Sequence, residues 1–369
     1  MRRRSLTGAA ALVLAGAVAA SAEPYNWALP DWMPRPAVPE DNPMTEAKVE
    51  LGRHLFYDAR LSADNTVACS SCHEQARAFT DGRKTAVGIN GTVGGKNAPP
   101  LMNVAYLPVL TWANPHMDTL EFQALVPLFG EDPHEMGSAG KEAEVFDRLS
   151  ADPYYKAAFP TAFPEYAAPD MFTVTRALAA FQRSMMSFDS PYDRFKYGGD
   201  MDALTPAALR GEQLFFDHRF ECYHCHQGVV FSDNFQTEGS PWAETGFHNT
   251  GLYSEYPSRV PGLIEITGQP EDAGRFRTPT LRNIAVTAPY MHDGSVSDLR
   301  AVMDHYRRGG REGHVMQDGM IVGFEATEQD IADIIAFLES LTDETFLTNP
   351  AYADPWPEGH PASATRMEP

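Results

Sequence analysis

Cysteine is scarce in this chain: there are four in 369 residues. All four sit in two short clusters, which excludes a disulfide framework distributed along the fold. Long apolar runs are scarce too. Beyond the first 22 residues no stretch approaches the roughly 20 apolar residues that a membrane-spanning helix requires. Positive charge is in short supply, with 29 Lys and Arg against 50 Asp and Glu and a formal net charge of −21. That balance argues against nucleic acid and anionic membrane as partners. It suits a solvated acidic surface and is compatible with a basic protein partner.

The two cysteine clusters carry the chemistry. Cys69-Ser70-Ser71-Cys72-His73 and Cys222-Tyr223-His224-Cys225-His226 each place two thiols three positions apart with a histidine directly after the second. This is the attachment pattern of a c-type haem, in which both thiols bond the porphyrin and the imidazole becomes the proximal iron ligand. Two CxxC pairs sharing a zinc ion would need no histidine after either pair. Disulfides within the pairs would leave both histidines equally unexplained. Two covalently bound c-type haems are therefore expected, held by Cys69, Cys72 and His73 and by Cys222, Cys225 and His226.

At the N-terminus, Arg2-Arg3-Arg4, the apolar run Leu6 to Ala20 and Ala20-Ser21-Ala22 read as a secretory signal peptide cleaved after Ala22. No cysteine near that point offers a lipid anchor. Covalent haem is attached to an unfolded, exported chain, so a soluble periplasmic location is expected. Without the three arginines, 26 basic residues face 50 acidic ones, a formal charge near −24.

The remainder is long enough for two domains, and it contains an internal repeat. Gly52-Arg53-His54-Leu55-Phe56-Tyr57-Asp58-Ala59-Arg60 matches Gly211-Glu212-Gln213-Leu214-Phe215-Phe216-Asp217-His218-Arg219 as G-x-x-L-F-aromatic-D-x-R. Ala98-Pro99-Pro100-Leu101-Met102-Asn103 likewise matches Thr278-Pro279-Thr280-Leu281-Arg282-Asn283. Each half closes on an amphipathic helix, one through Val174, Ala177, Leu178 and Phe181, the other through Ile331, Ile334, Ile335 and Leu338. The expected fold is mainly α and loop-rich, with two tandem cytochrome c-like domains each carrying one haem. Its parts are an extended arm (23–44), an N-terminal domain (45–190), a linker (191–203) broken by Pro and Gly, a C-terminal domain (204–347) and a loosely held tail (348–369).

The second axial position of each iron is where the halves diverge. Aligning Leu120 with Leu299 sets Pro127 opposite Tyr306. Proline cannot ligate, whereas tyrosine can through its phenolate. An open first haem and a six-coordinate second haem follow. For the second iron, Met291, His292, Met303, His305 and His314 compete, and from the residues alone Tyr306 ranks only level with the best of them. Above the open iron, peroxide cleavage needs a proton-transferring group. Gln123, His134 and Glu135 flank Pro127, and Glu135 is the first choice.

Taken together, these residues resemble the bacterial dihaem cytochrome c peroxidases and their MauG-type relatives. The resemblance covers essentially the whole mature chain. It rests on both haem motifs, on Arg277-Thr278-Pro279-Thr280-Leu281-Arg282-Asn283, on Thr287-Ala288-Pro289-Tyr290-Met291-His292-Asp293-Gly294, and on Asp304-His305-Tyr306 before Gly309-Gly310. The wording of Leu110-Thr111-Trp112-Ala113-Asn114-Pro115, Gln123-Ala124-Leu125-Val126-Pro127 and Phe247-His248-Asn249-Thr250-Gly251-Leu252-Tyr253 is similar to the MbnH-type branch. The resemblance implies that Tyr306 ligates the second iron, that Trp112 relays electrons between the haems, and that Gln123 and Glu135 form the distal pair. It also implies a calcium ion held by Asn97, Thr287 and Pro289. Where many members carry a capping histidine after the first haem, this chain has Ile89, so no reductive activation is expected.

The function so implied is that of a periplasmic oxidoreductase that uses hydrogen peroxide to reach a high-valent dihaem state and oxidises a tryptophan of a secreted partner protein. Two rivals differ from it in the residues they need. A scavenging cytochrome c peroxidase, fed by a small cytochrome or copper protein, would be favoured by Met at 306 and His at 89. A plain dihaem electron carrier would need two six-coordinate irons, against Pro127.

Overall fold

The computed structural model describes residues 25–166, 168–311 and 315–363. The expected signal peptide and the candidate ligand His314 lie outside them. The fold is mainly helical and loop-rich. In chain order the helices are α1 (Glu46–Phe56), α2 (Leu120–Gln123), α3 (Leu125–Phe129), α4 (Glu142–Ala151), α5 (Pro153–Ala162), α6 (Met171–Arg183), α7 (Pro191–Lys196), α8 (Pro206–Phe215), α9 (Ile264–Thr267), α10 (Leu299–Arg307), α11 (Glu328–Glu339) and α12 (Glu344–Thr348). Two short strands, β1 (Phe247–His248) and β2 (Phe276–Arg277), pair antiparallel with Phe247 opposite Arg277.

The repeat becomes a pair of helix crossings. In the first half α1 packs on α6, burying Leu51, Leu55 and Phe56 against Val174, Ala177, Leu178 and Phe181. In the second, α8 packs on α11, burying Ala208 and Phe215 against Ile331, Ile334, Phe337 and Leu338. Each of the buried Leu, Val, Ile and Phe side chains stabilises the fold by about 1.5–3 kcal/mol. The glycine of the repeated motif sets how closely the helices approach. A Cβ on Gly52 would lie 1.9 Å from the Ala177 carbonyl oxygen, and one on Gly211 would lie 1.9 Å from that of Asp333. Thr45 caps α1, and Thr327 with Asp330 forms a capping box on α11.

A second pair of matched residues closes the seam between the halves. Asn103 and Asn283 both adopt left-handed backbone, at φ 58° and 54°, which asparagine tolerates better than most residues. Asn103 Nδ2 donates to the Ser187 carbonyl at 3.0 Å, and Asn283 Nδ2 donates to the Ser187 hydroxyl at 2.9 Å. The two halves thus meet at one serine.

Three segments behave differently from a simple chain of arm, linker and tail. The stretch expected as a linker forms α7, with Ser190 as N-cap and Pro191 in the first turn, where its missing N–H costs nothing. Its Tyr192 joins the second core and its Asp193 pairs with the buried Arg282 at 2.7 Å. The described part of the segment expected as a loose tail, 348–363, is docked. Tyr352 is buried in the first core, the Tyr57 hydroxyl donates to its carbonyl at 2.7 Å, and Trp356 Nε1 donates to the His54 carbonyl at 3.0 Å. Phe346 and Leu347 of α12 belong to that same first core rather than to the second. The arm contributes Trp27, Leu29 and Trp32 to a cluster that includes Tyr106 and Phe188 of the first half and Val229 and Phe235 of the second.

Candidate active site

Both cysteine motifs fold alike. Cys69–Ser71 and Cys222–His224 are single 3-10 turns that bring the following histidine inward. His73 Nδ1 lies 2.6 Å from the Phe79 carbonyl oxygen, and His226 Nδ1 lies 3.0 Å from that of Phe231. A carbonyl only accepts, so each Nδ1 carries the proton and each Nε2 offers its lone pair, the tautomer an iron ligand needs. Burial holds His73 down at about 4 and lowers His226 as well. Both imidazoles are therefore neutral at physiological pH, and the donor set fits a covalent haem in each half.

The second motif opens onto a cleft with a largely apolar wall that includes Phe215, Phe220, Leu281 and Ile334. Cys222, Cys225, His226 and Tyr306 all line it, as do Met291, His292 and Met303. Among the competing ligands, His305 is directed elsewhere: its Nε2 meets the Thr250 carbonyl at 2.9 Å. His292 lies flat on Phe276 with ring centres 3.6 Å apart. Burial raises the Tyr306 phenol well above its ordinary value. Tyr306 occupies the last turn of α10, a helix that starts at Leu299 with Asp298 as its cap. In the first half the aligned helix starts at Leu120 with Thr119 as its cap but breaks at Ala124, and Pro127 sits in the next short helix, α3.

Around the first motif, Glu135 and His134 part company. His134 is exposed, whereas Glu135 is half-buried. Burial raises the Glu135 carboxyl, which stands near enough to Cys69 and Cys72 to act on them electrostatically. The loop that carries it is tied to α3 by the Met136 N–H, which donates to the Pro127 carbonyl at 3.0 Å. Gln123 ends α2 on the same segment and is half-buried. Ile89 is buried against this loop, where a Cβ on Gly137 would fall 2.2 Å from its Cδ1.

Trp112 lies at the seam. It is buried, it lines the second cleft, and its Nε1 donates to the Asn97 carbonyl at 2.8 Å. The Asn97 N–H donates to the His292 carbonyl at 2.8 Å, and its Nδ2 donates to the Arg83 carbonyl at 2.7 Å. The Asn97 N–H thereby ties the Trp112 segment to the loop that contains Thr287 and Pro289.

Two groups at the second cleft carry no role in the sequence argument although their motifs were visible there. Arg277 is buried, lines the cleft, and donates to the carbonyls of Thr111 (3.1 Å) and Thr278 (3.3 Å). Burial pulls it down to about 10, and an anionic group such as a haem propionate would compensate its charge. His248, on β1, is held between two carboxylates, with Nε2 2.7 Å from Asp233 and Nδ1 2.6 Å from Asp318. Its hydrogen bond to Asp233, with Asp318 on the other nitrogen, raises it well above its ordinary value. A histidine in a loop motif gives no sign of this, because both carboxylates are distant in sequence.

Comparison with known proteins agrees with this geometry. Residues 46–202 match the family profile described as di-haem cytochrome c peroxidase, and residues 208–342 match that of cytochrome c. The methylamine utilization protein MauG of Methylorubrum extorquens is 35% identical over 308 residues, covering 83% of this chain and 81% of that protein. The chain belongs to the di-haem cytochrome c peroxidase and MauG family. The cytochrome-c peroxidase IdrP1 of a Pseudomonas species is 34% identical, covering 84% of each chain. Among solved structures, a MauG-like protein associated with microbial copper homeostasis superposes with a TM-score of 0.88 at 47% identity, covering 90% of this chain and all of that one. Members are two-haem oxidoreductases that use peroxide, and the two motifs here supply one attachment site in each half. Among the described residues no helix is long and apolar enough to cross a membrane.

Proposed function

We propose that this protein is a periplasmic enzyme that uses hydrogen peroxide to oxidise a tryptophan of a secreted partner protein. Support comes chiefly from one combination: a phenol, Tyr306, lining the second cleft, with an aliphatic side chain, Ile89, where a capping histidine would stand. The neighbour of 47% identity, whose title describes a MauG-like protein associated with copper homeostasis, favours the same branch.

When bound, the two haems would supply the redox chemistry with peroxide. The residues around them would do the rest. His73 would hold the first iron, and Pro127, aligned with Tyr306, would offer it no second ligand. The raised carboxyl of Glu135 would move a proton from the inner to the outer peroxide oxygen, and Gln123 would orient the peroxide by hydrogen bonding. Trp112, packed at the seam, would pass electrons between the two haem sites. His226 and Tyr306 would hold the second iron, and an anionic phenolate oxygen favours its oxidised states. Asn97, Thr287 and Pro289 would bind calcium and fix the seam. A partner too large for either cleft would deliver its electrons through the surface.

The deciding experiment mixes the ferric dihaem protein, without reductant, with one equivalent of hydrogen peroxide and follows both irons by optical and Mössbauer spectroscopy. A long-lived state with both irons oxidised above ferric is expected. If nothing happens until one haem is reduced, the scavenging peroxidase suggested by the relatives named cytochrome-c peroxidase is the better account.

A further inference from the structure

The docked C-terminal segment closes a dense aromatic cluster on the proximal side of the first haem motif. Trp356 stacks on His360 with ring centres 4.2 Å apart and contacts His54 at 4.8 Å and Tyr154 at 5.5 Å. His54 stacks on Tyr154 at 3.9 Å, and Tyr155 lies 5.9 Å from Trp356. On the inner side, Phe56 stands 5.4 Å from Tyr57 and 6.4 Å from the ring of His73. His54 and Tyr57 are three positions apart at the end of α1, which makes them neighbours on the helix surface. Two groups of rings therefore flank the end of α1, one from His73 through Phe56 to Tyr57 and one from His54 to the half-buried Trp356, and the backbone of that last turn joins them.

Two features suit this cluster to carrying charge. Tyr155 donates to Asp58 Oδ2 at 2.7 Å, so a phenol that loses an electron has a carboxylate ready for its proton. Arg60 lies over both Tyr155 and Trp356, at 5.6 and 5.5 Å, but Asp58 and Asp152 pair with it at 2.7 and 2.8 Å. Its charge is thereby balanced and does not by itself forbid a nearby positive radical.

We propose that this cluster is a redox relay through which stored oxidising equivalents slowly decay from the first haem site to Trp356 when no partner protein is present. The inference rests on the peroxide chemistry proposed above for that site. In the transfer step Trp356 gives one electron to the oxidised haem and becomes a radical cation, with no bond formed or broken. Loss of a second electron, addition of water and release of two protons give a side chain carrying one added oxygen. One hydrogen peroxide, reduced to two waters, accepts both electrons and two protons. Trp356 is thus a sacrificial donor that spares the haem surroundings.

The test treats the dihaem protein with successive single equivalents of hydrogen peroxide, without reductant, and maps oxygenated tryptophans by peptide mass spectrometry alongside optical spectra and freeze-quench radical spectroscopy. Trp242, 72% exposed, reports direct attack from solution. The relay predicts that Trp356 gains oxygen well before Trp242, and that Trp356→Phe abolishes the tryptophan radical while the optical response to peroxide remains. An optical response with Trp242 oxidised first, or with a radical unchanged in Trp356→Phe, overturns the relay and leaves the peroxide chemistry standing. Absence of any optical response in the wild type overturns both. The order of oxidation in the wild type needs no variant, so a misfolded Trp356→Phe does not blunt the test.

Discussion

The N–H of Ile89 donates to the carbonyl of Glu135 at 2.8 Å, so the loop after the first haem motif holds the acid/base segment in place while presenting only an aliphatic side chain. Ile89→His should place an imidazole beside the free face of the first iron. The ferric variant is expected to react with peroxide far more slowly than wild type, and to regain speed once the second haem is reduced. Stopped-flow spectroscopy of the two redox states checks this. Burying the polar ring costs about 1–3 kcal/mol of stability, which the fold should survive. Unchanged ferric reactivity would mean that this loop does not reach the iron.

Burial raises the Glu135 carboxyl above its ordinary 4.5, and the sign of the consequence is fixed. A carboxyl whose folded-state pKa lies above the unfolded one is penalised by folding when ionised. The penalty is absent below the ordinary value, grows as pH rises, and is complete above the raised folded value. Glu135→Gln should therefore stabilise the protein at pH 7 and leave it unchanged near pH 3, as read from urea midpoints. The same substitution should slow the peroxide reaction by roughly 10²–10⁴-fold. It should also erase the fall in rate that wild type shows as pH drops through the raised value.

Tyr306→Met tests the second cleft. The thioether is neutral and soft where the phenolate is anionic and hard, so the doubly oxidised state reached with peroxide should no longer persist, although the first site still reacts. Mössbauer and optical spectra separate these two effects. A variant that stores oxidising equivalents as long as wild type would remove Tyr306 from this role and turn attention to Met291 or His292, which line the same cleft.

Much of this was legible because the chain repeats itself. The G-x-x-L-F motif marks both helix crossings, the two CxxCH motifs each turn their histidine inward, and the Leu120–Leu299 alignment pairs two residues that both begin helices. What escaped the sequence depends on partners far along the chain. Pro191 and the glycines after it look like breakers, yet Pro191 opens α7 because Ser190 caps it and Asp193 finds Arg282. The proline-rich tail looks loose, yet Tyr352 and Trp356 each find a buried acceptor 168 and 302 positions away. Periodicity cannot register two anchoring aromatics in an irregular segment.

Gly211→Ala probes the crossing of α8 and α11. Alanine gains about 1 kcal/mol of helix propensity over glycine. Its Cβ, however, would sit 1.9 Å from the Asp333 carbonyl oxygen, and forcing the helices apart costs typically 1–3 kcal/mol and sometimes more. Because that oxygen is backbone and cannot swing aside, the steric cost should win. A lowered midpoint of thermal unfolding, followed by far-UV circular dichroism, is expected for this variant and for Gly52→Ala.

The buried pair of Asp193 and Arg282 separates charge compensation from simple tethering. Asp193 accepts from Arg282 at 2.7 and 2.8 Å and also from the Ser190 N–H and hydroxyl, with both ionic side chains almost fully inaccessible. Asp193→Ala leaves an uncompensated guanidinium in the interior, and a loss of about 3–5 kcal/mol is expected. Replacing both partners, as Asp193→Leu with Arg282→Met, removes the charge along with its counter-ion and should recover most of that loss. Denaturant midpoints of the single and double variants decide between the two roles. If the double variant is as unstable as the single one, the bonds from Arg282 to the Val229 and Ser187 carbonyls, which only the double variant loses, contribute as much to the seam as the charge compensation does.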